Sequence, residues 1–208
     1  MTRNLVLVSV FGLAISLFLA REASAAPIET DLSGFALGTL LNTTPDDPFE
    51  TATATDVGTT NNSVFQIGSL YVYVHRVNPL LDNILLFHTG FAVSGFTGVA
   101  GWDFTASDSA GGNGDDGDFN TNFNSGVLSW NPSFLWNANA PINFFFISTL
   151  PPRTGNYVLY SFDPSPPSLN VGTAQSFAPV PEPGSIALLG AGLAGLYATV
   201  RRRRYVER

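Results

Sequence analysis

The 208-residue chain has no cysteine and no lysine, only two histidines and one methionine, and charged residues make up just 12% of it. Without cysteine there can be no disulfide, no thiolate metal site and no thiol nucleophile. Packing and hydrogen bonds alone must hold whatever folds. No Gly-x-Ser-x-Gly elbow occurs, and no His-x-x-x-His pair, so a serine-hydrolase turn and a helical zinc pair have no sequence support. Sustained 3.6-residue periodicity is missing outside the two ends, which argues against a helical domain.

The scarce positive charge is unevenly placed. All nine basic residues are arginines, and only Arg76 and Arg153 lie between Pro27 and Pro179. That span carries thirteen of the sixteen carboxylates, a formal charge of −11. Such a surface repels nucleic acid and anionic lipid headgroups. It tolerates divalent cations. Phenylalanine (17) and glycine (20) are abundant, as expected of a turn-rich β protein.

Both ends carry targeting signals. Arg3 precedes an apolar run over 5–20, and Ala23-Ser24-Ala25 gives the small-x-small pattern of signal peptidase cleavage after Ala25. Residues 1–25 are therefore expected to be a signal peptide. At the other end, residues 184–200 hold no charge and are followed by Arg201, Arg202, Arg203 and Arg204. A helix of that length spans about 25 Å, near the lower limit for crossing a bilayer. The arginines would keep the terminus cytoplasmic. Pro181 and Pro183 stop helix from growing upstream, so Val180, Pro181, Glu182 and Pro183 are expected to be extended and open to a protease. The tripartite plan parallels signals whose hydrophobic tail is discarded.

Pro181-Glu182-Pro183, the Gly/Ala/Leu-rich run and the terminal arginines resemble the PEP-CTERM sorting domain of exopolysaccharide-producing Gram-negative bacteria. The resemblance covers about residues 179–204. It implies an exosortase as processing partner, with Val180, Pro181, Glu182 and Pro183 as substrate rather than catalyst. It also implies an exported protein: a precursor held in the inner membrane, then delivery to the cell surface or extracellular matrix. Tyr205–Arg208 extends slightly past the usual basic end. More loosely, the Tyr-Val-Tyr strand, the Gly-Trp strand and the Gly-Val-Leu-Ser-Trp strand resemble ectodomains that recur in proteins with this signal. That likeness brings no activity with it.

The middle reads as an all-β, antiparallel sandwich or jelly roll over 26–163. LYVYVHRV (70–77) alternates Leu70, Val72 and Val74 against Tyr71, Tyr73 and His75. Further strands are expected over 83–93 with a bend at Gly90, then at 101–105, 126–130, 142–147 and 157–162. Residues 42–62 are expected to form a loop. The Pro-rich stretch 164–179 is expected to be a spacer before the sorting segment 180–208.

Three constellations could carry chemistry. Asp116, Asp118 and Asn120 have the alternate spacing of a calcium loop. Position six is Thr121 rather than glycine, however, and position twelve is Val127 rather than glutamate, so this is not an EF-hand. A flexible polar hairpin is the competing reading, and calcium is the one cofactor the spacing allows. Trp102, Trp130 and Trp136, with Tyr71, Tyr73 and Tyr157, could stack on sugar rings or fill a core. His75 and His88, or carboxylates such as Asp103, Asp108 and Asp163, would be needed for a hydrolase, and nothing in their spacing supports one. The sequence reading is thus a non-enzymatic, exported matrix protein. A carbohydrate-binding module is the first alternative and a hydrolase the second.

Overall fold

A computed structural model of the chain describes residues 26–179 and residue 192. The signal segment 1–25, including Ala23 and Ala25, lies outside the described residues. So do Val180, Pro181, Glu182, Pro183 and Arg201, Arg202, Arg203 and Arg204. Among the described residues no helix is long and apolar enough to cross a membrane.

Among the described residues twelve strands join in a single, nearly closed sheet. They are β1 Ile28–Asp31, β2 Thr39–Thr43, β3 Asp47–Glu50, β4 Asp56–Ile67, β5 Leu70–Pro79, β6 Ile84–Thr89, β7 Phe96–Trp102, β8 Phe119–Asn124, β9 Val127–Pro132, β10 Ile142–Ser148, β11 Arg153–Pro164 and β12 Pro167–Ala178. Their order is β1-β7-β10-β5-β4-β3-β12-β11-β6-β9-β8, with β2 pairing β4 beyond β3. All pairs are antiparallel except β1 with β7. The expected all-β class is met. The expected two-sheet sandwich is not what forms, because the strands run on as one sheet.

The sheet curls until its two ends meet. The backbone N–H of Thr121 on β8 donates to Glu29 Oε1 on β1 at 3.0 Å. Phe123 on β8 packs against Phe96 on β7, with ring centroids 4.7 Å apart. Joining the ends this way protects edges that would otherwise template aggregation.

Two expected segments turn out differently. Residues 42–62 contain β3 and most of β4, the latter paired along ten residues with β5. Their Thr/Asn-rich composition suggested a loop, but the inward positions Thr60 and Asn62 bury polar side chains by hydrogen-bonding them to each other. The supposed spacer is mostly β12, paired with β11 over twelve residues and burying Ala174, Ser176 and Ala178. Pro164, Pro166 and Pro167 lie at the hairpin tip and Pro179 lies past the end of β12, so no ladder N–H is lost.

The strand at 101–105 also ends early. Asp103 caps a short helix, α1 Phe104–Ser109, by accepting from Ala106 N–H at 3.0 Å.

The interior is apolar and strongly aromatic. Phe49, Tyr73, Phe87, Trp102, Phe119, Trp130, Trp136, Phe144, Phe146 and Tyr157 all point inward and are fully buried or nearly so. On β5, the Tyr71, Tyr73 and His75 face lines this core. The Val72 face joins a smaller cluster with Leu32, Phe145 and Ile147, covered by Phe35 and Leu37 from the β1–β2 connection. From Phe144 onward β10 is therefore buried on both faces, which explains the unbroken apolar run over 144–147.

Gly101 shows how closely β1 lies on the sheet. A Cβ there would land on the Thr30 carbonyl oxygen and sit 2.9 Å from the Phe145 ring. Gly101→Ala should therefore displace β1 from β7 and cost about 1–3 kcal/mol, as overpacking does. Chemical denaturation of the purified protein measures this, and an unchanged midpoint would mean β1 is not held there.

Candidate functional site

The acidic loop is built around Asp118. β8 begins at Phe119, whose ring enters the core, so Asp118 is drawn inward and is buried. Its Oδ1 accepts from Asn113 N–H at 2.8 Å, and its Oδ2 accepts from Gly114 N–H at 2.8 Å and from the Ser107 hydroxyl. Both carboxylate oxygens thus serve donors of the loop, and Oδ2 also ties the loop to α1 through Ser107. Gly112 is required beside them, since a Cβ there would stand 2.5 Å from Asp118 Oδ2. Asp116 and Asn120 are exposed and do not converge on Asp118.

Among the described residues no group of three or more histidines or carboxylates is placed to hold a metal ion. The alternate spacing reflects strand entry, with one residue pointing in and its neighbours out. The residues present do not fit calcium, which needs six to eight oxygen ligands. Millimolar calcium should leave the melting temperature unchanged. Asp118→Ala should lower it with or without the ion, because three donors lose their acceptor. A calcium-dependent rise lost in Asp118→Ala would reverse this assignment.

The tryptophans do not form a sugar platform. Trp102, Trp130 and Trp136 are each 0% exposed. Trp130 stacks on Phe87 at 5.3 Å, Trp102 packs on Phe119 at 5.3 Å, and Trp136 meets Phe144 at 5.5 Å. The Trp136 indole N–H donates to the Ala140 carbonyl at 2.6 Å. Tyr73 and Tyr157 are equally buried, and their hydroxyls donate to the Leu150 and Phe177 carbonyls at 2.8 and 2.7 Å. Burial pushes both phenols well above their usual range, so they remain donors at any ordinary pH.

The two histidines sit on opposite faces of the sheet. His75 points inward and packs against Tyr157 and Phe146, with centroids 4.2 and 5.8 Å away. Its Nδ1 lies 2.7 Å from Asn62 Oδ1, which also accepts from Thr60 Oγ1 at 2.8 Å. Since Asn62 Oδ1 only accepts, Nδ1 carries the proton and Nε2 is a bare lone pair. Among the described residues Nε2 has no partner. His88 lies outside, stacked on Tyr160 at 5.6 Å, with Nδ1 against the Thr89 carbonyl at 2.7 Å.

Among the described residues no serine–histidine–carboxylate arrangement is formed. Ser176 Oγ is 3.4 Å from His75 Nδ1, but that cluster is sealed from solvent. Asp103 caps α1, exposed Asp108 lies within α1, and Asp163 at the β11–β12 tip accepts from Ser165 N–H.

Burial holds His75 down to about 3, against an ordinary value near 6.5. The folded protein keeps it neutral while the unfolded chain takes up a proton below about pH 6.5. Its contribution is fully present above that pH and is lost as pH falls toward 3, at about 1.4 kcal/mol per unit. His75→Gln should flatten the pH dependence of unfolding free energy between pH 6 and 4 by up to that slope. Urea titrations of the two proteins at several pH values measure it, and identical slopes would show that His75 is not sealed.

Sequence reasoning also passed over a cleft on the outer face of β4, β5 and β10. Arg76 stands there directly between Asn61 and Asn143 in the strand register. Two adjoining hollows of about 240 and 370 Å³ meet at Arg76 and share Asn139 and Pro141 as a wall. The signal was present in the alternation of 70–77, which put Arg76 opposite the histidine face.

An all-β domain thus ends at Ala178, and the sorting segment begins at once. Residues 179–204 match the family described as the PEP-CTERM protein-sorting motif. The chain therefore carries the signal of an exported protein whose precursor is processed by an exosortase. No curated protein and no solved structure matches the chain.

Proposed function

We propose that the protein is a non-enzymatic, structural or adhesive component of the cell surface or exopolysaccharide matrix, delivered there through its sorting motif. The observation that carries this is the motif match over 179–204, joined directly to a β domain. Signal peptidase removes residues 1–25. The apolar run 184–200 holds the precursor in the inner membrane, with Arg201–Arg204 on the cytoplasmic side. The exosortase then cuts at or near Val180, Pro181, Glu182 and Pro183 and frees the β domain.

The use of the polar residues favours this over a hydrolase. His75 is sealed in the core, and Asp103 and Asp118 are committed to capping a helix and ordering a loop. The carbohydrate-binding alternative loses the tryptophans as its basis, because they offer no face to solvent.

Intact mass of the protein recovered from its native host, with and without the processing enzyme, tests the reading. The expected wild-type species starts at Ala26 and ends within 180–183, with any added mass identifying a group attached to the new terminus. A wild-type species that still carries residues 201–208 would overturn it.

A further inference from the structure

We infer that the cleft around Arg76 is a binding site for a carboxylate-bearing saccharide. Its floor is an in-register row across three central strands, Asn61 on β4, Arg76 on β5 and Asn143 on β10. Two observations set this row apart from an ordinary solvated strand face.

The first is the state of Arg76. The span 27–179 has thirteen carboxylates and two arginines, so an arginine there would be expected to find an acidic neighbour. Among the described residues the exposed guanidinium of Arg76 has no hydrogen bond and no ion pair, although Asp46 lines the same hollow, while the flanking Asn61 and Asn143 amides donate to the Thr44 carbonyl and to Asp103. Its rigid fork of five donors opens to solvent where the two hollows meet. Carboxylates satisfy that geometry with two parallel hydrogen bonds.

The second is the cleft's division into two compartments of different character that meet at Arg76. One is lined by Thr59, Asn61, Asn78 and Asn139. Amides both donate and accept, which suits the hydroxyls of a sugar. In the other, Ala106 from α1, Ala110 just after it and Pro141 supply small apolar surfaces, with Ser109 and Asn143 at the polar side. A sugar ring is amphipathic in the same sense, with C–H groups on its faces and hydroxyls at its rim. Two rings in sequence, one carrying the acid, match two compartments with one guanidinium between them. The domain's formal charge of −11 opposes densely charged polymers, so the fitting ligand has sparse acidic groups among neutral sugars.

This inference rests on the matrix reading for the source of the ligand, not for the existence of the cleft. The test uses the processed protein recovered from its host. It is titrated calorimetrically with an aldobiuronic acid, one uronate linked to one neutral hexose, and with the methyl ester of the same disaccharide. Wild type should bind the acid at least ten times more tightly than the ester. Arg76→Gln should abolish that difference with an unchanged melting temperature, and Arg76→Lys should retain only part of it, because the bidentate geometry is lost.

Failure of wild type to bind the acid, or equal binding of acid and ester, would overturn the proposal. Competition by acetate as strong as by the disaccharide would overturn the saccharide assignment. Intact mass of the same sample reports separately on processing, so a failed sorting reading and an empty cleft give different results.

Discussion

Four aromatic rings converge on Phe144. Phe87, Phe119, Trp130 and Trp136 stand 5.1 to 5.5 Å from it, and they come from β6, β8, β9 and the segment just before β10. Phe144 itself sits on β10, near the other end of the strand order. Its ring contacts thus pull the two ends of one sheet toward each other. With no disulfide available, this convergence is what makes twelve strands enclose a single core. Rings bury large areas and pack edge to face as well as in stacks, so they can fill the uneven space of a curled sheet. The tie between Glu29 and Thr121 seals a closure that the rings have already enforced.

The sheet's two faces were legible in part. Alternation over 70–77 placed Tyr71, Tyr73 and His75 on one side and the Leu70 and Val72 side opposite, as the structure has them. The strands at 126–130 and 157–162 were legible for the same reason, since period-2 apolar patterns survive in short windows, and that at 142–147 by its short apolar run. What period cannot supply is partnership. Residues 42–62 looked like a loop because their inward positions include threonine and asparagine, and only Thr60, Asn62 and His75 together make those positions satisfiable. β12 was hidden by its leading prolines and its small residues. Gly172 is needed where β12 crosses β3, since a Cβ there would press on Phe49, and a glycine in such a stretch reads as a linker.

The candidate sites divide along the same line. The sorting motif was legible because its information is linear: a short motif, an apolar run and a basic end. The aromatic and acidic constellations stayed open between two readings because their meaning is in the third dimension. Trp102, Trp130 and Trp136 could have faced solvent or core with the same letters. Asp118 could have faced an ion or its own loop. The Arg76 cleft needs the register of β4, β5 and β10 together with the placement of α1, and no single stretch of sequence contains all of them.

β12 has a consequence for how the protein comes to exist outside the cell. It is the last described strand in the chain, yet it lies inside the sheet, between β3 and β11. β3 and β12 are separated by more than a hundred residues of sequence, and without β12 the strand order breaks into two pieces. A chain threaded outward from its N-terminus can pair β4 with β5 early, but it cannot complete the sheet until residue 178 has emerged. Pairings that distant are slow to form. Closure of the sheet is therefore a late event in folding, because it waits on the last described strand. The strand that completes the sheet is thus also the strand that adjoins the sorting motif, so the fold closes at the end of the chain where processing occurs.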